Sequence, residues 1–150
     1  MSRLLAASPR RKGQIVTKSS RSATYAYQGL GGSKIIASVD DIPVGLLVPG
    51  VRYRPVAGGR LLATHVWFDP HSVAPVHVHD EEQLVIVIEG EIEYDLEGER
   101  TTVGAGASLL IPPGVPHGAR TRESSCYEID VFSPPRASLL EKYFSEEISE

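Results

Sequence analysis

From residue 51 onwards short β-rich runs follow one another, each closed by a turn signal, and this rhythm limits the folds open to the chain. The runs cover residues 51–54, 60–68, 83–88, 91–96, 100–103, 108–111 and 125–132. Asp69-Pro70, Glu89-Gly90, Glu97-Gly98, Pro112-Pro113-Gly114 and Pro134-Pro135 are among the turns that end them. Turn signals spaced roughly every 8–12 residues predict an antiparallel sandwich or barrel. A parallel sheet would need helical patterns between the strands, and none is present. Only 137–148 reads as a helix, with Leu139, Leu140, Tyr143 and Phe144 on one face and two prolines before its start. The chain is therefore read as all-β: an N-terminal extension at 1–38, one jelly-roll barrel at 39–136 and a helix or tail at 137–150. Within the extension, 23–28 and 34–39 have strand-like content and are candidates for exchange between subunits.

Composition narrows the chemistry. At 150 residues the chain buries enough surface to fold without a staple. Cys126 is its only cysteine, so any metal must be held by histidine, carboxylate or amide groups. No apolar run reaches the roughly 20 residues that span a membrane. The net charge of −4 argues against nucleic-acid binding. That charge is uneven. Residues 1–34 hold seven basic residues and no acid, leaving −11 on the remainder. The expected location is the cytoplasm, although an Arg- and Ser-rich head of this kind also resembles an organelle transit segment.

Strand parity then picks out candidate ligands. His77 and His79 lie two apart, so on an extended segment their imidazoles leave from one face and can chelate one ion. Gln83 follows at the start of the next apolar strand and adds an amide oxygen. His117 follows a second Pro/Gly turn, Pro112-Pro113-Gly114-Val115-Pro116, and supplies a third imidazole. One divalent transition metal is implied, with Zn, Ni, Mn and Fe not distinguished by these donors. On 125–132, Asp130 shares a face with Cys126, Glu128 and Phe132, opposite Tyr127, Ile129 and Val131. An acid facing a barrel lumen beside a cation can move a proton. Tyr53, His65 and Trp67 are expected to line the same lumen.

These residues resemble the cupin superfamily. His77, His79, Gln83 and Gly90 fall at the spacings of its first motif, and Gly106, Pro112, Gly114 and His117 at those of its second. His71 stands where the first motif has Gly, Thr121 where the second has Asn, and Gln83 where the ligand is usually Glu. A three-histidine, one-glutamine site is one charge more positive than its glutamate counterpart, which favours anionic substrates. The His77–Gln83 segment, the Ile88-Glu89-Gly90-Glu91 turn and Asp130-Val131-Phe132-Ser133-Pro134-Pro135-Arg136 look like the small KdgF-type cupins. Those open unsaturated uronates from pectin and alginate into linear ketonised sugars. The resemblance implies catalytic roles for Asp130 and Arg136, with Phe132 lining the pocket, and a planar guanidinium suits a substrate carboxylate.

The expected function is thus a non-redox, metal-dependent isomerase acting on a small anionic sugar such as a 4,5-unsaturated uronate, without nucleic-acid or membrane partners. The resemblance also implies a homodimer. Three alternatives stand beside it: a cupin cyclase or isomerase of natural-product biosynthesis, an Fe-dependent cupin dioxygenase, and a non-catalytic sugar-binding cupin.

Overall fold

The structure, a computed structural model, describes residue 33 and residues 35–145. The 23–28 stretch and most of the basic head lie outside these residues. Residues 35–38 form no regular element, so the strand expected over 34–39 is not found there. Ser38 instead caps a 3-10 turn at Val39–Asp41, its hydroxyl accepting from the Asp40 amide at 3.2 Å.

Nine strands follow: β1 Gly45–Val48, β2 Val51–Ala57, β3 Leu62–Phe68, β4 Val73–His77, β5 Glu82–Leu96, β6 Glu99–Gly104, β7 Ser108–Ile111, β8 His117–Arg120 and β9 Cys126–Ser133. One helix, α1, spans Ala137–Ser145. Every pairing is antiparallel, in the order β1-β2-β3-β9-β5-β8-β4, with β6 and β7 also on β5. The 15-residue β5 joins the two halves: its first part pairs β9 and β7, its second part β6 and β8.

The sequence suggested a turn at Glu89-Gly90, yet the strand continues through it. Gly90 takes φ 78°, and the register with β9 shifts between Val87 and Glu89. A Cβ at Gly90 would fall 2.0 Å from the Ser125 carbonyl oxygen. Only glycine meets both demands, so the strand kinks without ending.

Alternation sorts the faces. The inner row of β9 is Cys126, Glu128, Asp130 and Phe132, and that of β5 includes Gln83, Val85 and Val87. Tyr53, Leu62, Val66, Phe68, Ile92, Tyr94 and Ile111 complete the buried core. Each large apolar side chain fully buried there stabilises the barrel by about 1.5–3 kcal/mol. Helix α1 lays Leu139, Leu140 and Tyr143 against it. Its Tyr143 ring meets Tyr53 edge-on at 5.7 Å, and the Tyr53 hydroxyl donates to the Leu139 carbonyl at 2.9 Å. The lumen is thereby capped by apolar contacts near β1 and β2, and polar groups such as Gln83, His117, Glu128 and Asp130 stand among its apolar residues. Among the described residues no helix is long and apolar enough to cross a membrane.

Candidate metal centre

The sheet ladder brings the histidines together. His77 ends β4, His117 begins β8, and the two are paired across the ladder. His79 lies in the short connection to β5, and Gln83 is the second residue of that strand. The ring centroids of His77 and His117 are 4.4 Å apart, and those of His79 and His117 4.8 Å.

The proton positions follow from the partners. His77 Nδ1 lies 2.8 Å from the Pro75 carbonyl, His79 Nδ1 3.0 Å from that of Glu81, and His117 Nδ1 2.8 Å from that of Val115. A carbonyl can only accept, so each Nδ1 carries the proton and each Nε2 presents a lone pair. Burial lowers the proton affinity of all three imidazoles, that of His117 to a pKa of about 4, so neutral rings are favoured. His79 Nε2 and His117 Nε2 are 3.2 Å apart, and each is 3.1 Å from Gln83 Oε1. Acceptors facing acceptors at such distances repel, and a cation between them removes the repulsion. The donor set therefore fits a divalent transition metal, with backbone carbonyls fixing the ring orientations from behind. The three histidines offer ligand atoms within 4.8 Å of one another.

Gln83 also explains itself. Its side chain lies close enough to Asp130 to lower that carboxyl's proton affinity. The amide can donate to that carboxylate from nitrogen while its oxygen faces the imidazoles. A glutamate would bring a second negative charge against Asp130 instead.

Beside this cluster lies a pocket shared by His77, Gln83, His117, Asp130, Phe132 and Arg136. Burial raises the Asp130 pKa to about 7, against the opposing effects of Glu128, Arg136 and Gln83. Arg136 stacks its guanidinium 5.6 Å above the Phe132 ring, and Phe132 meets His79 edge-on at 5.6 Å. The Arg136 Nε and the Asp130 Oδ1 are buried with no hydrogen-bond partner.

The cupin domain family matches residues 64–131, the stretch that carries every ligand candidate. A solved structure of KdgF from Halomonas sp. superposes with a TM-score of 0.66 at 32% identity, covering 73% of this chain and 99% of that one. The chain belongs to the cupin family. The pectin degradation protein KdgF of Dickeya dadantii (strain 3937) is 28% identical over 103 residues, which is 67% of this chain and 94% of that protein. The polyketide cyclase RemF from Streptomyces resistomycificus gives a TM-score of 0.61 at 25% identity, over 67% of this chain and 80% of that one.

Two departures from the cupin motifs have structural reasons. His71, at the glycine position, adopts φ 57° in an exposed turn, the backbone region glycine enters most easily. Thr121, at the asparagine position, is buried, donates to the Asp69 carbonyl at 2.6 Å and accepts from the Ser72 amide at 3.1 Å. It ties the end of β8 to the turn before β4.

Tyr53 and Phe132 line this pocket. His65 and Trp67 do not. On β3 the inward row is Leu62, Thr64, Val66 and Phe68, which places His65 and Trp67 on the outer surface. There Trp67 stacks on Tyr127 at 5.0 Å, and His65 Nδ1 lies 2.7 Å from the Tyr127 hydroxyl. Both faces of β3 carry bulky apolar groups, so alternation alone does not say which is inward. Sequence reasoning also gave no role to Tyr94, Thr64 and Glu128, all buried and lining the pocket. For Glu128 the signal was present, since it shares the parity of Asp130.

Proposed function

We propose that this cupin opens and ketonises a 4,5-unsaturated uronate or a close anionic relative, with no net oxidation or reduction. The observation that carries the reading is the pair of unpartnered atoms beside the metal-type donor set: a cationic Arg136 Nε and an Asp130 carboxyl poised near neutrality. A buried donor and a buried acceptor left unmatched in one pocket suit a ligand that supplies both complements. A carboxylate pairs with the guanidinium, and hydroxyl groups suit the acid. The similarity to two KdgF proteins supports the same chemistry.

His77, His79, Gln83 and His117 are the residues that would hold the cation. Bound there, a divalent metal supplies a Lewis acid that polarises a substrate oxygen without changing oxidation state. Arg136 orients the substrate through its carboxylate, and its stacking on Phe132 keeps the fork in place. Asp130 accepts the proton of the anomeric hydroxyl as the ring C–O bond breaks to leave an aldehyde and an enolate. The same carboxyl returns that proton to C4 as the enolate becomes a ketone. One proton leaves oxygen and one arrives on carbon, so the product is an isomer of the substrate. A carboxyl whose proton affinity burial raises toward neutrality suits both roles.

The similarity to a polyketide cyclase gives a second reading, ring closure in natural-product biosynthesis, and the largely apolar pocket wall is compatible with it. The buried Arg136 favours the anionic sugar. Turnover of unsaturated galacturonate or mannuronate, followed by loss of the C=C absorbance and by NMR of the product, separates the two. Asp130→Ala should reduce kcat by about 10²–10⁴-fold with metal content unchanged. Arg136→Ala should act chiefly on KM. Full activity of Asp130→Ala removes that residue from the mechanism.

A further inference from the structure

Glu128 is 1% exposed, on the inner face of β9 two residues before Asp130. The register sets it between Val66 of β3 and Val87 of β5. A carboxyl in such surroundings loses several kcal/mol of hydration if it stays ionised without a partner. The polar groups that act on it are Tyr94 of β5 and Asp130 of its own strand, and the Cys126 thiol senses its charge from the same row. None of them is positive. Arg136 acts on Asp130. The lumen thus holds two adjacent acids beside one guanidinium, and two carboxylates in contact cannot both ionise cheaply.

The charges say which acid keeps the proton: Arg136 favours ionised Asp130, no cation acts on Glu128, and only the Tyr94 hydroxyl favours its ionised form. The Tyr94 hydroxyl donates to Glu128 Oε1 at 2.8 Å. Glu128 Oε2 has no partner, and neither has Asp130 Oδ1. With Arg136 Nε, these are the buried side-chain polar atoms without partners among the described residues, and all three residues line one pocket. A proton on one of these neighbouring acids would relieve both unpartnered oxygens, and a carboxylate has further lone pairs to offer a substrate.

We infer that Glu128 is a neutral carboxylic acid that positions Asp130: Tyr94 fixes Oε1 as its carbonyl oxygen, and the acid proton on Oε2 is directed at the Asp130 carboxylate. This rests on the proposed role of Asp130, because Glu128 acts through that residue and touches no substrate. Burial and the Asp130 charge both raise the proton affinity of Glu128, which agrees with the assignment. Tyr94, buried beneath both acids, serves as the anchor. The arrangement turns the base toward the mouth of the pocket and gives it a donor on its inner side, where water is excluded.

Two measurements test this. Infrared difference spectra of the full-length protein, free of metal and substrate at about pH 9, where an Asp130 carboxyl with a pKa of about 7 is ionised, should show a protonated-carboxyl C=O band that Glu128→Gln abolishes and Asp130→Asn retains. No such band in the wild type, or one that persists in Glu128→Gln, overturns the inference. In turnover of unsaturated uronate, Glu128→Ala should lower kcat by about 10- to 100-fold, the loss of a hydrogen bond to a charged group, with KM and metal content little changed. Glu128→Gln keeps a neutral donor and should restore most of that loss. If Glu128→Gln is as impaired as Glu128→Ala while folded and metal-loaded, Glu128 works as a carboxylate and the inference fails. If the wild type turns over no uronate, the proposed function fails, and the infrared result still decides the state of Glu128.

Discussion

At the scale of single residues, the centre depends on where protons reside. Three backbone carbonyls hold the Nδ1 protons of His77, His79 and His117, and Gln83 joins the ligand cluster to Asp130. Asp130 itself carries a stability penalty. Its pKa in the folded protein is about 7, whereas an unfolded aspartate titrates near 3.9. Between those values the folded state binds the additional proton, so metal-free protein should lose stability as pH rises through that window. The share of this dependence that Asp130 supplies is removed in Asp130→Asn. Its metal-free melting temperature should exceed that of the wild type at about pH 8 and should not at about pH 4, as read by calorimetry. Equal melting temperatures at the higher pH would mean that the carboxyl is not held protonated by burial. The ligand candidates were legible because His-x-His spacing and strand parity are local properties of the chain. The parity of Glu128 was legible as well, but its bond to Tyr94 was not, because Tyr94 comes from the second half of β5, which pairs with β6 and β8 rather than β9, and no local pattern reports that contact.

Among the elements, β2, β3, β6, β7 and β9 were readable from β-branched or apolar runs bounded by turns, whereas β5 read as two strands parted at Glu89-Gly90. β1, β4 and β8 were missed. Pro75 interrupts β4, and His117-Gly118-Ala119-Arg120 has no strand-forming side chain, so both strands exist through tertiary pairing rather than propensity. That pairing is what sets His77 opposite His117. It depends on a close approach at Gly118, where an added Cβ would lie 2.9 Å from the Val76 amide nitrogen and 3.0 Å from the Ala74 carbonyl oxygen. Both are backbone atoms, so β4 itself must move. Gly118→Ala should therefore destabilise the fold by about 1–3 kcal/mol. It should also weaken metal binding measurably in calorimetric titration. A variant that melts lower yet binds metal as tightly as the wild type would show that the β4–β8 spacing does not set the ligand geometry.

For the whole molecule, the net charge of −4 conceals a basic head and a body carrying −11. An acidic body repels an anionic sugar at long range, so attraction must come from inside the pocket. Arg136 and a cation on the histidine cluster are the groups that can supply it, and both are shielded from bulk salt more than surface charges are. The barrel supplies the shielding: apolar residues from β2, β3, β5 and α1 close one side, and the cluster stands at the pocket formed by β4, β5, β8 and β9. A metal that binds only the folded state also raises stability, by about 2.7 kcal/mol at one hundred times its Kd. The central claim is that this cupin performs metal-dependent isomerisation without redox chemistry. The most direct measurement is NMR of the product from unsaturated uronate, using protein stripped of metal and reloaded with redox-inert zinc, under strict exclusion of oxygen. The account predicts no turnover by the stripped protein and conversion to the linear keto isomer by the zinc form. Turnover that requires iron and oxygen, or that proceeds without any metal, would contradict it.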